Sequence, residues 1–82
     1  MNIFVARLSP QTNSESLCAL FGDYGTVSSA KVIIDKDTGE SKCFGFVEMT
    51  NDQEASEAIN DLDGIEYEGS YIVVKKSRPQ NE

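Results

Sequence analysis

The sequence predicts an α+β domain of order β-α-β-β-α-β, with two helices on one face of a four-stranded antiparallel sheet. Three observations carry that prediction. Apolar residues recur at helical spacing in two places, Leu17-Leu20-Phe21-Tyr24 and Ala55-Ala58-Ile59-Leu62, each with a glycine beyond it. Runs rich in β-branched and aromatic residues, alternating with polar ones, lie between and around these helices. Together the elements occupy the 82 residues, leaving no space for a second domain, a solenoid repeat or a low-complexity tract.

The first strand is carried by Ile3-Phe4-Val5-Ala6-Arg7-Leu8, in which Ile3 and Val5 face a core and Phe4 faces away. Residues 9–13 are a turn ending in helix-capping residues. Asn13 caps a helix beginning at Ser14, or Thr12 and Glu15 make a capping box if the helix begins one residue earlier. Gly25 ends that helix. Residues 26–34 form the second strand, with Ala30, Val32 and Ile34 alternating against Lys31 and Ile33. A polar loop with a glycine for its turn follows at 35–41. On the third strand, 42–49, Lys42, Phe44, Phe46 and Glu48 project to one side, and Cys43, Val47 and Met49 to the other, with Gly45 between them. The second helix occupies 50–63, capped by Thr50, Asn51 or Asp52 and followed by Gly64. A small hairpin at 65–69 and a last strand at 71–76 complete the domain, which is placed at 1–79 with a polar tail at 80–82. This strand and helix order is the ferredoxin-like split arrangement.

Composition narrows the class of function. A chain of 82 residues buries only about 60 to 65% of its unfolded surface, so modest stability is expected. No apolar stretch is long enough for a signal peptide or a membrane span, which makes the cytoplasm the expected location. Cys18 and Cys43 are too few and too distant for a disulfide framework, and with no histidine in the chain neither a metal site nor a cofactor is expected. Free thiols suit a reducing compartment, and Cys43 is read as a small buried hydrophobe.

The stretch Lys42-Cys43-Phe44-Gly45-Phe46-Val47-Glu48-Met49 resembles the octamer of the RNA recognition motif family, K/R-G-F/Y-G/A-F-V-x-F/Y. Lys42, Phe44, Gly45, Phe46 and Val47 fit; Cys43 stands where the pattern has Gly, and Met49 where it has Phe or Tyr. Glycine at the second position permits a backbone shape that a side chain hinders. The family's hexamer (apolar, aromatic, apolar, any residue, Asn, Leu) is matched by Ile3 to Leu8, with Phe4 at the aromatic position and Arg7 in place of Asn. The resemblance spans 2–79 and is nearest to the short bacterial members that carry little besides this domain.

What the resemblance implies is a monomeric protein that binds single-stranded RNA, and single-stranded DNA in vitro, across its sheet. Phe4 and Phe44 stack on successive bases, and Phe46 packs against a base or the sugars between them. Lys42 and Arg7 contact phosphate or a base edge, Lys31 and Lys75 extend the basic surface, and Lys76, Ser77 and Arg78 join them at the end of the last strand and just beyond it. The mechanism is reversible binding in a post-transcriptional role, whether RNA turnover, translation or folding.

The net charge of −7 opposes this reading, because phosphate contacts supply most non-specific affinity. Its distribution favours it. All seven basic residues, Arg7, Lys31, Lys36, Lys42, Lys75, Lys76 and Arg78, lie on predicted strands, the 35–41 loop or the tail. The predicted helices hold Glu15, Asp23, Asp52, Glu54, Glu57 and Asp61 and would cover the opposite sheet face. Solvated helix faces alone would give the same split. Glu48 is a carboxylate on the ring side, set to disfavour phosphate nearby or accept from a base amino group.

Two rival classes are weighed against RNA binding. One is a protein-binding module of the same fold that engages a partner through its acidic helices; in the family its mark is an Arg-x-Phe loop before the last strand, which Gly64-Ile65-Glu66-Tyr67 does not supply. The other is a small hydrolase of the acylphosphatase kind, which needs a phosphate-cradling loop with Arg; residues 9–13 hold neither Gly nor Arg.

Overall fold

The computed structural model describes residues 1–77; Arg78 and the rest of the tail, including the expected domain end at 79, lie outside the described residues. Eight elements follow in order: β1 (Asn2–Ala6), α1 (Ser14–Gly22), β2 (Val27–Ile34), β3 (Ser41–Met49), α2 (Asp52–Leu62), β4 (Glu66–Tyr67), β5 (Ser70–Tyr71) and β6 (Val73–Ser77). The main sheet has the order β2-β3-β1-β6, all neighbours antiparallel, and β4 pairs with β5 in a separate hairpin. This is the predicted ferredoxin-like α+β arrangement.

Alternation decides which sheet face is covered. Ile3, Val5, Val32, Val47, Met49 and Val74 point to the helices and are almost fully buried with Leu17 and Phe21 of α1 and Ala55, Ala58 and Leu62 of α2. The two alanines let α2 lie close to the strands, and burying side chains of this kind stabilises by about 1.5 to 3 kcal/mol for each larger one.

Each helix starts on an asparagine. Asn13 Oδ1 accepts from the Ser16 amide at 2.8 Å and Asn51 Oδ1 from the Glu54 amide at 2.9 Å, satisfying donors that have no partner inside the helix. Thr12 is no cap: it is 2% exposed and its hydroxyl donates to Glu68, tying the first loop to the β4–β5 turn. The first helix closes at Gly22, three residues before the expected Gly25, where Asp23 caps it through a bond from its own amide to the Phe21 carbonyl.

Three further expectations are corrected. The hairpin runs from Glu66 to Tyr71, not 65–69, because Glu68 and Gly69 both hold positive φ (52° and 88°), as a two-residue type I′ turn requires. The last strand therefore begins at Val73. Ile34, expected inward beside Val32, is 49% exposed, since the β2–β3 register shifts between Val32 and Ile34. Tyr67 packs on the core and donates its hydroxyl to the Ser16 carbonyl at 3.2 Å; burial pushes its pKa up.

Candidate nucleic-acid interface

The sheet face turned away from the helices is assembled by strand register. Phe4 on β1 lies opposite Phe46 on β3 and Lys75 on β6, and Phe46 lies opposite Lys31 on β2. Opposed residues of an antiparallel pair share a face, so Lys31, Phe46, Phe4 and Lys75 form one row across four strands. In the next row Phe44 stands opposite Ala6, whose small side chain leaves the ring room.

The three rings form a triangle. Their centroids are 5.4 Å apart for Phe4 and Phe46, 5.9 Å for Phe4 and Phe44, and 6.3 Å for Phe44 and Phe46, the last pair edge-on at 87°. Each ring is half-buried, held by the other rings rather than by the core. Tilted and edge-on pairs of this kind are the preferred aromatic geometry, which fixes the platform before any ligand arrives.

At the end of the platform two residues adopt left-handed backbone, Arg7 at φ 60° and Cys43 at φ 66°. These are the positions at which the octamer and hexamer patterns carry Gly and Asn, the residues that tolerate that conformation best. Between the pairs Val32↔Gly45 and Ile34↔Ser41, β3 inserts Phe44, Cys43 and Lys42 against Ile33 alone, which is a bulge. The bulge is locked from β1, since the Leu8 amide donates to the Cys43 carbonyl at 2.8 Å. Simple alternation therefore stops at Cys43: the residue is half-buried rather than part of the core, and Lys42 is placed by the bulge instead of by parity with Phe44. Arg7, Lys31 and Lys42 are exposed, and none forms an ion pair among the described residues.

The remaining predicted residues divide. Lys75 is in the aromatic row, but its Nζ donates to Asp63 Oδ2 at 2.9 Å. Asp63 Oδ1 also accepts from the Val74 amide at 3.0 Å, so this carboxylate clamps the outer edge of β6. Those bonds, the backbone one first, hold the Asp63 carboxyl below its ordinary range. Lys76 is not brought to the rings: it lies within β6, opposite core residue Ile3, and lines a surface hollow at the end of the sheet with Met1, Asn2, Asp52 and Ser77. The family resemblance sets Lys76 with the RNA-contacting residues at the end of the last strand; the strand instead continues to Ser77, and alternation turns Lys76 the other way. Ser77 pairs with Asn2 on the ring side, and Arg78 lies outside the described residues. Asp63 was missed because pattern reading takes an Asp-Gly pair after a helix as punctuation.

With this geometry, comparison with known proteins is direct. Residues 3–73 match the RNA recognition motif family, and the chain belongs to it. It is 42% identical over 82 residues to RbpB of Nostoc sp. (strain PCC 7120), covering 100% of this chain and 80% of that protein. It is 51% identical over 63 residues to oligouridylate-binding protein 1 of Nicotiana plumbaginifolia, covering 77% of this chain and 16% of that protein. Among solved structures, the crystal structure of RNA-binding protein PG1 superposes with a TM-score of 0.95 at 41% identity, covering 100% of this chain and 99% of that one. A Sex-lethal protein/RNA complex superposes at 0.89 with 30% identity, covering 99% of this chain and 48% of that one.

Proposed function

We propose that this protein binds single-stranded RNA reversibly on the open face of its sheet. The observation that carries the reading is the row Lys31–Phe46–Phe4–Lys75 with Phe44 beside it: half-exposed rings 5.4 to 6.3 Å apart, bordered at both ends by ammonium groups. Unpaired bases have apolar faces that stack on such rings whatever their sequence. Phe4 and Phe44 take successive bases, and Phe46 packs against a base or the intervening sugars. Arg7 and Lys42, beside the bulge, meet phosphate or a base edge, and Lys31 and Lys75 meet the strand at the two borders. Lys76 acts only through the general field.

Family membership supports this reading, as do the names of relatives that include an RNA-binding protein, an oligouridylate-binding protein and a protein/RNA complex. The role is post-transcriptional and exercised as a monomer in the cytoplasm. Among the described residues no helix is long and apolar enough to cross a membrane.

The test is an amide-resolved NMR titration of the labelled protein with random single-stranded RNA about eight nucleotides long at low salt. Shifts centred on Phe4, Lys31, the Lys42 to Glu48 stretch and Lys75 support the reading. Shifts confined to α1 and α2, or none, replace it with that of a module engaging a protein partner through its acidic helices.

A further inference from the structure

The aromatic row leaves one neighbouring feature unexplained. Glu48 lies two residues beyond Phe46 on β3, and Asn2 two residues before Phe4 on β1. The two are paired across the strands, and both face the ring side. The Glu48 carboxylate is exposed and has no hydrogen-bond or ion-pair partner among the described residues. Its backbone is fixed, since the Ser28 hydroxyl donates to the Glu48 carbonyl at 3.1 Å. A bare carboxylate beside a platform for a polyanion weakens binding unless some part of the ligand repays it. Phosphate cannot do so; a hydrogen-bond donor can, either a ribose 2′-OH or a base edge, and of the two only a base edge offers two donors side by side to one carboxylate.

From this juxtaposition we propose that Glu48 and Asn2 form a base-edge subsite that selects guanine in the nucleotide stacked over Phe4 and Phe46. The proposal rests on the RNA-binding reading above. A step of two residues along a strand is roughly 6.6 Å, so a base centred over the Phe4–Phe46 pair turns its edge onto the Asn2–Glu48 pair. Opposed side chains there start roughly 4.5 to 5.5 Å apart at Cβ, within reach of a single base edge.

Chemistry then chooses the base. An ionised carboxylate is acceptor-only, whereas an asparagine amide also donates. Guanine presents two adjacent donors, N1–H and the N2 amino group, beside the O6 acceptor. Glu48 accepts from both donors, and Asn2 donates to O6. Adenine and cytosine each bring one amino donor next to a ring-nitrogen acceptor that repels the carboxylate. Uracil brings one N–H between two carbonyls that repel it.

Binding is measured by fluorescence anisotropy with uridine oligonucleotides about eight nucleotides long, carrying one central guanosine, inosine, adenosine or cytidine, or none. The parent protein binds the guanosine oligonucleotide about ten-fold more tightly than the adenosine, cytidine and all-uridine ones, with inosine, which lacks the N2 donor, between. Glu48→Gln and Glu48→Ala lose most of that preference while holding or improving affinity for all-uridine RNA, because a negative charge has left the face. Equal binding of all five oligonucleotides by the parent, or a guanosine preference that survives in both variants, overturns the subsite and leaves the stacking platform standing. Binding of none of them removes the RNA reading, and the subsite with it.

Discussion

Arg7 and Cys43 hold left-handed backbone at φ 60° and 66° with side chains that rarely adopt it. Such a conformation costs an L-residue about 1 to 2 kcal/mol, part of which a glycine gives back through its greater freedom when unfolded. Cys43→Gly is therefore expected to stabilise the fold by about 1 kcal/mol, read as a higher denaturant midpoint with an unchanged slope. A destabilised variant would show that the half-buried Cys43 side chain contributes more packing than its backbone costs. At the same scale, the Phe44 ring packs on other rings rather than in the core. Phe44→Ala should leave the fold intact and weaken RNA binding by about 1 to 3 kcal/mol, roughly ten-fold or more. Equal affinity of variant and parent removes that ring from the platform.

Among the elements, β3 is the most constrained. A Cβ on Gly45 would meet the Lys31 carbonyl oxygen, and it would stand 3.1 Å from the Val32 Cα. Both neighbours are backbone of a paired strand and move only with the sheet. Gly45→Ala is expected to destabilise by about 1 to 3 kcal/mol as overpacking, measured by chemical denaturation, although the octamer pattern itself admits Ala there. The β6 edge depends on Asp63, which holds both the Val74 amide and the Lys75 ammonium. Its carboxyl has a lowered pKa in the folded chain, so its contribution is complete above the unfolded value of 3.8 and is lost as pH falls through the folded value. Unfolding followed against pH should show a loss of stability on the acid side that is smaller in Asp63→Asn. An identical acid limb in the two proteins would mean the clamp contributes nothing.

For the molecule as a whole, a net charge of −7 coexists with a ring face whose Arg7, Lys31 and Lys42 are exposed and form no ion pair among the described residues. Local attraction acts at contact, while the acidic helices set a field that opposes long-range approach. With about three phosphate contacts, log affinity should fall against log salt with a slope of about −2 for single-stranded RNA. A flat response would mean that these cations are idle, and a much steeper one that the strand reaches well past the sheet. The 35–41 loop and the first loop approach each other through a shallow hollow lined by Pro10, Asn13, Ile34 and Cys43, so the bulge also positions these borders of the platform.

The order of elements and the inward set of Ile3, Val5, Val47 and Met49 were legible in the sequence, because helical and strand periodicity are local consequences of side-chain direction; each helix start was legible too, though which of its candidate residues caps it was not. So was the shared face of Phe4, Phe44 and Phe46, since alternation on each strand needs no knowledge of its neighbour. What needed the tertiary structure was everything that depends on one strand meeting another. The register that aligns Lys31 with Lys75 across the rings, the bulge that takes Lys42 out of simple alternation and exposes Ile34, and the extension of β6 that turns Lys76 to the helices all arise from pairing. Asp63 joins them for the same reason: its partners, Val74 and Lys75, are close in space only after the hairpin has folded back against α2. Periodicity is a property of a segment, and it determined the fold and the platform; register, bulges and edge contacts are properties of pairs of segments, and they decided which charges reach it.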